Sequence, residues 1–146
     1  MVVQLIYISS IIGIDVIGDD KFMEGVRARN ASRGITSVML VTDSCYVHCI
    51  EGERDVVSSL FIKIAQDPRH ANQTILRFSE VQKREFGDFF AAISKLSEFN
   101  VSNNYNTVCP AMQVDPLSIT SAKAMSLLRR VAAHHRANQI DQNLTD

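Results

Sequence analysis

The chain has 146 residues, enough for one compact domain and an appendage. Its net charge of -1, with 46% hydrophobic and 21% charged residues, is that of an ordinary globular sequence and gives no bulk attraction to nucleic acid or anionic lipid. Three cysteines do not make a disulfide framework, and no Cys or His spacing suits zinc, so neither a disulfide scaffold nor a metal site is expected. The longest apolar stretches, such as Ile11-Ile12-Gly13-Ile14, are too short to span a bilayer. No basic segment precedes the first apolar residues, so no signal peptide is expected and a cytoplasmic location is the default.

Val2 to Ser9 predicts a strand with Leu5, Tyr7 and Ser9 on one face and Ile6 and Ile8 on the other. Both faces are apolar, as in a central strand. After a glycine-punctuated connection, Asp19 or Asp20 caps a helix running to about Ser32. Its inward stripe carries Phe22, Met23 and Val26, then Asn30, so an amide ends an apolar face. Ile35 to Val41 predicts a second strand, Thr42-Asp43-Ser44 a turn, and Cys45 to Glu51 a third strand hairpinned to the second. Tyr46, His48 and Ile50 share one face of it; Cys45, Val47 and Cys49 share the other. The two cysteines are then about 13 Å apart, too far for a bond.

A second helix spans about Arg54 to Gln66, with Val56, Val57, Leu60, Phe61 and Ile64 in its stripe, and stops at Asp67-Pro68. Thr74 to Lys83 predicts a fourth strand, while Phe86 to Ser94 is ambiguous between strand and loop. The order is that of an α+β ferredoxin-like fold: two helices on one face of a mainly antiparallel sheet. Ile6, Ile8, Val47 and Cys49 leave the other face needing a cover. Residues 1–95 form the expected domain and 96–146 a linker with a helical extension. Asn100 to Asn106 is polar, Asp115-Pro116 starts a helix, and Gln139 to Asp146 frays. Met125, Leu128, Val131, Ala132 and His135 form the stripe of that helix, which covers either the open sheet face or a neighbouring subunit.

Tyr7, Asn30, His48 and Asp67 come from four elements and converge, in this plan, between the helices and the sheet. Apolar walls with a few oriented polar groups suit a flat aromatic ligand. Each residue also has a plainer reading: a core tyrosine, a satisfied core histidine, a helix-terminal asparagine and a solvated helix stop. From the residues alone the conclusion is a ferredoxin-like domain with a cleft.

Several ordered motifs carry a resemblance. Leu5-Ile-Tyr-Ile-Ser-Ser10, Arg29-Asn30 with Gly34-Ile-Thr36, Tyr46-Val-His-Cys-Ile-Glu-Gly52, Asp67-Pro-Arg-His70 and Arg84-Glu-Phe86 together resemble the BLUF domains, blue-light sensors that bind FAD. The likeness covers about residues 2 to 94. It implies that Tyr7 is the photoactive tyrosine and that Asn30 bonds the carbonyl and imide edge of the flavin. It implies that Arg29, Lys63, Asp67, Arg69 and His70 meet the ring or its rim. The chain departs from the family pattern mostly at the switch: His48 replaces a glutamine, Phe89 a tryptophan, Ala91 a methionine and Ser37 a glycine, and Arg29 stands first in the usual polar pair.

An amide offers donors and an acceptor on one rotatable plane, whereas neutral imidazole has one of each on opposite sides. Imidazole also ordinarily titrates near neutrality, so His48 is expected to hold the extra proton of the photoreaction. The resemblance therefore implies a FAD-binding blue-light sensor, not an enzyme, with a modified or weak photocycle. Its output passes through a homo-oligomer or an unidentified protein partner, without nucleic acid or membrane. The alternatives are a BLUF-fold interaction module without photochemistry and, remotely, a small ferredoxin-like enzyme with His48 as general base.

Overall fold

The chain runs β1 (Val2–Ile11), α1 (Asp20–Arg33), β2 (Thr36–Val41), β3 (Cys45–Glu53), α2 (Arg54–Ala65), β4 (His70–Glu80), β5 (Ala92–Lys95) and α3 (Ser121–Thr145). These elements belong to a computed structural model that describes residues 1–13, 20–96 and 118–145. The expected cap at Asp19, the linker at Asn100–Asn106, Cys109 and the helix start at Asp115-Pro116 lie outside the described residues.

The strands form one sheet in the order β4-β1-β3-β2-β5. β1 pairs antiparallel with β3 and β4, and β2 antiparallel with β3, as in the ferredoxin-like plan. The addition is β5, which lies parallel to β2 at the far edge and resolves the ambiguous stretch after Phe86. β4 starts at His70, earlier than the alternation of its sequence suggests. Asn72 there adopts a left-handed φ of 55°, and the β1–β4 register shifts twice, so strict period-two alternation is lost.

α1 carries Asp20 in its first turn and Arg33 in its last, matching the helix dipole at both ends. It stops at Gly34, whose φ of 65° suits the left-handed stop position. The Gly34 N–H donates to the Ala31 carbonyl at 3.3 Å and the Ile35 N–H to the Asn30 carbonyl at 2.9 Å, the paired bonds of a Schellman motif. At Gly52 the requirement is space: a β-carbon there would stand 2.8 Å from Ile35 Cδ1. The hairpin between β2 and β3 is closed by the Thr42 hydroxyl, which accepts from the Cys45 N–H at 3.0 Å and the Ser44 N–H at 3.3 Å.

Two apolar layers result. On one face Leu5, Tyr7 and Ile50 pack with Val57, Leu60 and Phe61 of α2. On the other, Ile6, Ile8, Val38, Leu40, Val47 and Cys49 are covered by α3 through Ala124, Met125, Leu127, Leu128, Val131 and Ala132. The extension therefore seals the sheet of its own chain. Ion pairs fix it at the side, Arg129 to Glu85 and Arg136 Nε to Asp88 at 2.8 Å. His135 Nε2–H donates to the Ile93 carbonyl at 3.0 Å, tying α3 to β5. The helix continues through the stretch expected to fray, although residues 137–144 are exposed. Cys45 and Cys49 are buried free thiols. No helix among the described residues is long and apolar enough to cross a membrane.

Candidate functional site

A cavity of about 230 Å³ lies between α1, α2 and the sheet. Phe22, Met23 and Val26 of α1 form one apolar wall, Leu60 and Ile64 of α2 another. Tyr7 and His48 line the sheet side. Antiparallel register sets them side by side, because Tyr7 of β1 pairs directly with His48 of β3. Period-two alternation then aims Tyr46, His48 and Ile50 at the same cavity.

The Tyr7 Oη lies 2.8 Å from His48 Nδ1. The two rings meet edge to face with centroids 5.3 Å apart, and Phe61 supports the Tyr7 ring from α2 at 5.2 Å. Burial raises the phenol well above its ordinary range, with Tyr46 and Asp67 adding to the shift, so Tyr7 stays protonated. Burial also pushes the His48 ring down to about 3, with His70 reinforcing it. His48 is therefore neutral at pH 7. The buried ring thus departs from the near-neutral titration ordinary for histidine: desolvation disfavours the imidazolium, and the phenol, its own pKa raised, keeps its proton. With Tyr7 donating to Nδ1, the ring proton sits on Nε2. That nitrogen has no partner among the described residues, and the ring borders the cavity.

Asn30 closes the apolar stripe of α1 as expected. Its Nδ2 donates to the Phe90 carbonyl at 2.5 Å and to Ser37 Oγ at 3.4 Å. Both amide hydrogens are thereby used, and Oδ1 remains as an acceptor. Ser37 Oγ–H donates to the same Phe90 carbonyl at 3.3 Å, so the serine found in place of glycine helps fix the loop behind Asn30.

At the turn after α2, the Arg69 backbone N–H and Nε both donate to Asp67 Oδ1 at 2.9 Å. Arg69 holds the Asp67 carboxyl down to about 2, and its own pKa is raised in return. The Arg69 guanidinium sits 5.2 Å from the Phe22 ring centroid, joining the turn to α1. His70 also lines the cavity, but both its nitrogens are taken. Nε2–H donates to the Ile64 carbonyl at 2.6 Å, which leaves Nδ1 to accept from Ser9 Oγ at 2.8 Å. It clamps the end of α2 to β1.

Of the residues singled out in the sequence, Tyr7, Arg29, Asn30, His48, Asp67, Arg69 and His70 line the cavity. Lys63 is exposed on α2 and is not among the lining residues. Phe89 packs on the opposite side, with its ring 6.1 Å from His135 and 5.1 Å from the Arg136 guanidinium, whereas Ala91 borders the cavity. Sequence reasoning missed Arg33, Tyr46, Met39 and Ile93 as lining residues. Arg33 stands one helical turn after Arg29, and Tyr46 shares the alternation of His48, so both carried a signal. Ile93 carried none, because its stretch is ambiguous between strand and loop in the sequence.

The family model for sensors of blue-light using FAD matches residues 2–91. The chain belongs to the BLUF family. BLUF relatives in sequence include the photoactivated adenylate cyclase subunit beta of Euglena gracilis, 32% identical over 76 residues. That match covers 52% of this chain and 9% of that protein, so the chain spans a small part of the curated relatives it matches. In structure the chain is similar to BlrB, a BLUF protein in its dark state, with a TM-score of 0.72 and 27% identity over 91% of this chain and 96% of that one. It is also similar to a bacterial light-regulated adenylyl cyclase, with a TM-score of 0.67 and 25% identity over 95% of this chain and 36% of that one. The family uses FAD. The residues present fit a flavin: apolar walls on two helices, an amide acceptor for an imide N–H, and an imidazole donor beside a buried phenol.

Proposed function

We propose that this chain is a blue-light sensor that holds the flavin ring between α1 and α2, with Tyr7 as electron and proton donor and His48 as its proton bridge. The observation that carries this reading is the 2.8 Å contact between Tyr7 Oη and His48 Nδ1, with Nε2 left for a ligand in the cavity. When bound, FAD supplies a ring that absorbs blue light and takes up an electron and a proton. Asn30 Oδ1 anchors the imide edge. Arg29, Asp67 and Arg69 meet the ligand at the rim, and His70 acts as a packed wall. Tyr7 passes its proton to Nδ1 as it loses an electron, while Nε2 releases its own into the cavity.

Because burial makes the imidazolium costly, His48 relays the proton and does not store it. Its two nitrogens are fixed on opposite sides of a rigid ring. A ring flip would replace nitrogen by carbon at each partner, so the exchange open to an amide is closed to it. The light response is therefore short-lived, with a weak red shift. Residues 1–95 form the sensor unit and 96–146 its extension. The unit is not itself an enzyme, and output leaves through α3 to a partner protein or a second copy.

Light-minus-dark spectra of the flavin-loaded protein, of Tyr7→Phe and of His48→Gln test this. Blue light should quench the flavin in the unmodified protein, Tyr7→Phe should abolish that quenching, and His48→Gln should lengthen the red-shifted state. A full, persistent shift in the unmodified protein would refute the relay role of His48.

A further inference from the structure

Glu51 of β3 is fully buried and lies on the opposite sheet face from His48 and Ile50, so it does not line the cavity. A buried carboxylate is costly unless it is hydrogen-bonded, and here donors surround it. The backbone N–H groups of Glu85 and Phe86 each donate to it at 2.8 Å, Gln4 Nε2 at 3.1 Å and Thr36 Oγ1 at 3.4 Å. Four donors on two oxygens match the acceptor sites of a carboxylate. Arg77 and Arg84 stand one bond further out, donating to Gln4 Oε1 at 3.0 Å and to Thr36 Oγ1 at 3.3 Å. Gln4 and Thr36 are the cross-strand neighbours of Glu51, whereas Glu85 and Phe86 belong to the connection between β4 and β5. That connection ends at the cavity. The Phe89 N–H donates to the Phe86 carbonyl at 3.1 Å, and the Ser37 N–H donates to the Phe89 carbonyl at 3.0 Å. The next carbonyl, that of Phe90, accepts from Asn30 Nδ2 at 2.5 Å.

Resting on the flavin reading above, we infer that Glu51 is a positioning residue for the Asn30 amide. From across the sheet its carboxylate fixes residues 85–91, and through the Phe90 carbonyl it decides which end of the amide meets the ligand. With Nδ2 committed to Phe90, Oδ1 is the end left to accept from an imide N–H. Without that carbonyl in place, only the 3.4 Å contact to Ser37 Oγ restrains Nδ2, and the amide is free to turn its NH2 toward the cavity.

The test is a double-mutant cycle on the full chain, with Glu51→Gln and Glu51→Asp each made alone and together with Asn30→Ala. Glutamine turns one acceptor oxygen into a donor that faces the backbone N–H groups. Aspartate keeps both oxygens but withdraws them by one methylene. FAD affinity is read by fluorescence quenching, and exchange of the Asn30 side-chain amide hydrogens is read by NMR on the flavin-free chain. Both Glu51 variants should weaken FAD binding about fivefold when Asn30 is present and less than about twofold beside Asn30→Ala, because the route through the amide is then gone. The Asn30 amide hydrogens should exchange about tenfold faster in both Glu51 variants. Unchanged FAD affinity, or an equal loss with and without Asn30, would overturn the positioning role and leave Glu51 as a support of the fold alone. Unchanged Asn30 exchange, or loss of folding in both Glu51 variants, would do the same. A folded, unmodified chain that takes up no FAD would instead overturn the flavin reading, and the positioning role with it.

Discussion

Replacing His48 by glutamine should flatten the acid side of the stability curve. In the folded chain the ring's pKa falls from the ordinary 6.5 to about 3, chiefly through burial. In the unfolded chain it returns to the ordinary value. Between those two values the unfolded chain takes up a proton that the folded chain refuses, so stability drops as pH falls. The contribution is complete above 6.5 and fully lost below about 3. At about 1.4 kcal/mol per pH unit, the whole window is worth roughly 5 kcal/mol as an upper limit. Water entering the cavity beside the ring screens part of this, and about 2 kcal/mol is expected between pH 7 and pH 4. The assay is urea unfolding of the wild type and His48→Gln across that range. Asp67 and the other carboxylates titrate in both proteins and cancel. The wild type should lose about 2 kcal/mol more than the variant. Parallel curves, or a His48 ring signal that titrates near 6.5 by NMR, would refute the reasoning. The same shift makes the light response of the loaded protein flat from about pH 5 to pH 8, where an unperturbed histidine would give a step.

Leu128→Ala should destabilise the fold by about 3 kcal/mol, because Leu128 is fully buried between α3 and the sheet and the site collapses only in part. Chemical denaturation measures this, and a loss below about 1 kcal/mol would mean that α3 packs loosely. Asn30→Ala should weaken flavin binding by about 1–3 kcal/mol, since it removes an acceptor for the imide N–H and leaves the Phe90 carbonyl to Ser37 alone. Titration of the loaded fraction checks it, and unchanged affinity would place the imide edge elsewhere.

Much of this arrangement is legible in the sequence because it depends on periodicity. Period two on β3 separates Tyr46, His48 and Ile50 from Cys45, Val47 and Cys49, and the structure sends the two sets to opposite layers. Helical spacing sets Phe22, Met23, Val26 and Asn30 on one stripe of α1, and all four line the cavity. The same spacing marks Met125, Leu128, Val131 and Ala132 as the buried face of α3. A local rule suffices wherever a residue's direction follows from its own element.

What the sequence left open depends on groups brought together from distant parts of the chain. An amphipathic stripe says that a helix needs cover; only the packed sheet shows that α3 covers its own chain. β5 is a four-residue strand whose partner, β2, lies more than fifty positions away, so its own residues carry little pattern. Histidine ordinarily titrates near neutrality, and nothing in the local sequence around His48 indicates otherwise. Its neutral state follows from burial and His70 above all, and its hydrogen bond from Tyr7 across the sheet. His70 lines the cavity, and only the fold shows that Ser9 and the Ile64 carbonyl use both of its nitrogens. Proton affinity and hydrogen-bond availability are properties of an environment, and three-dimensional packing creates that environment.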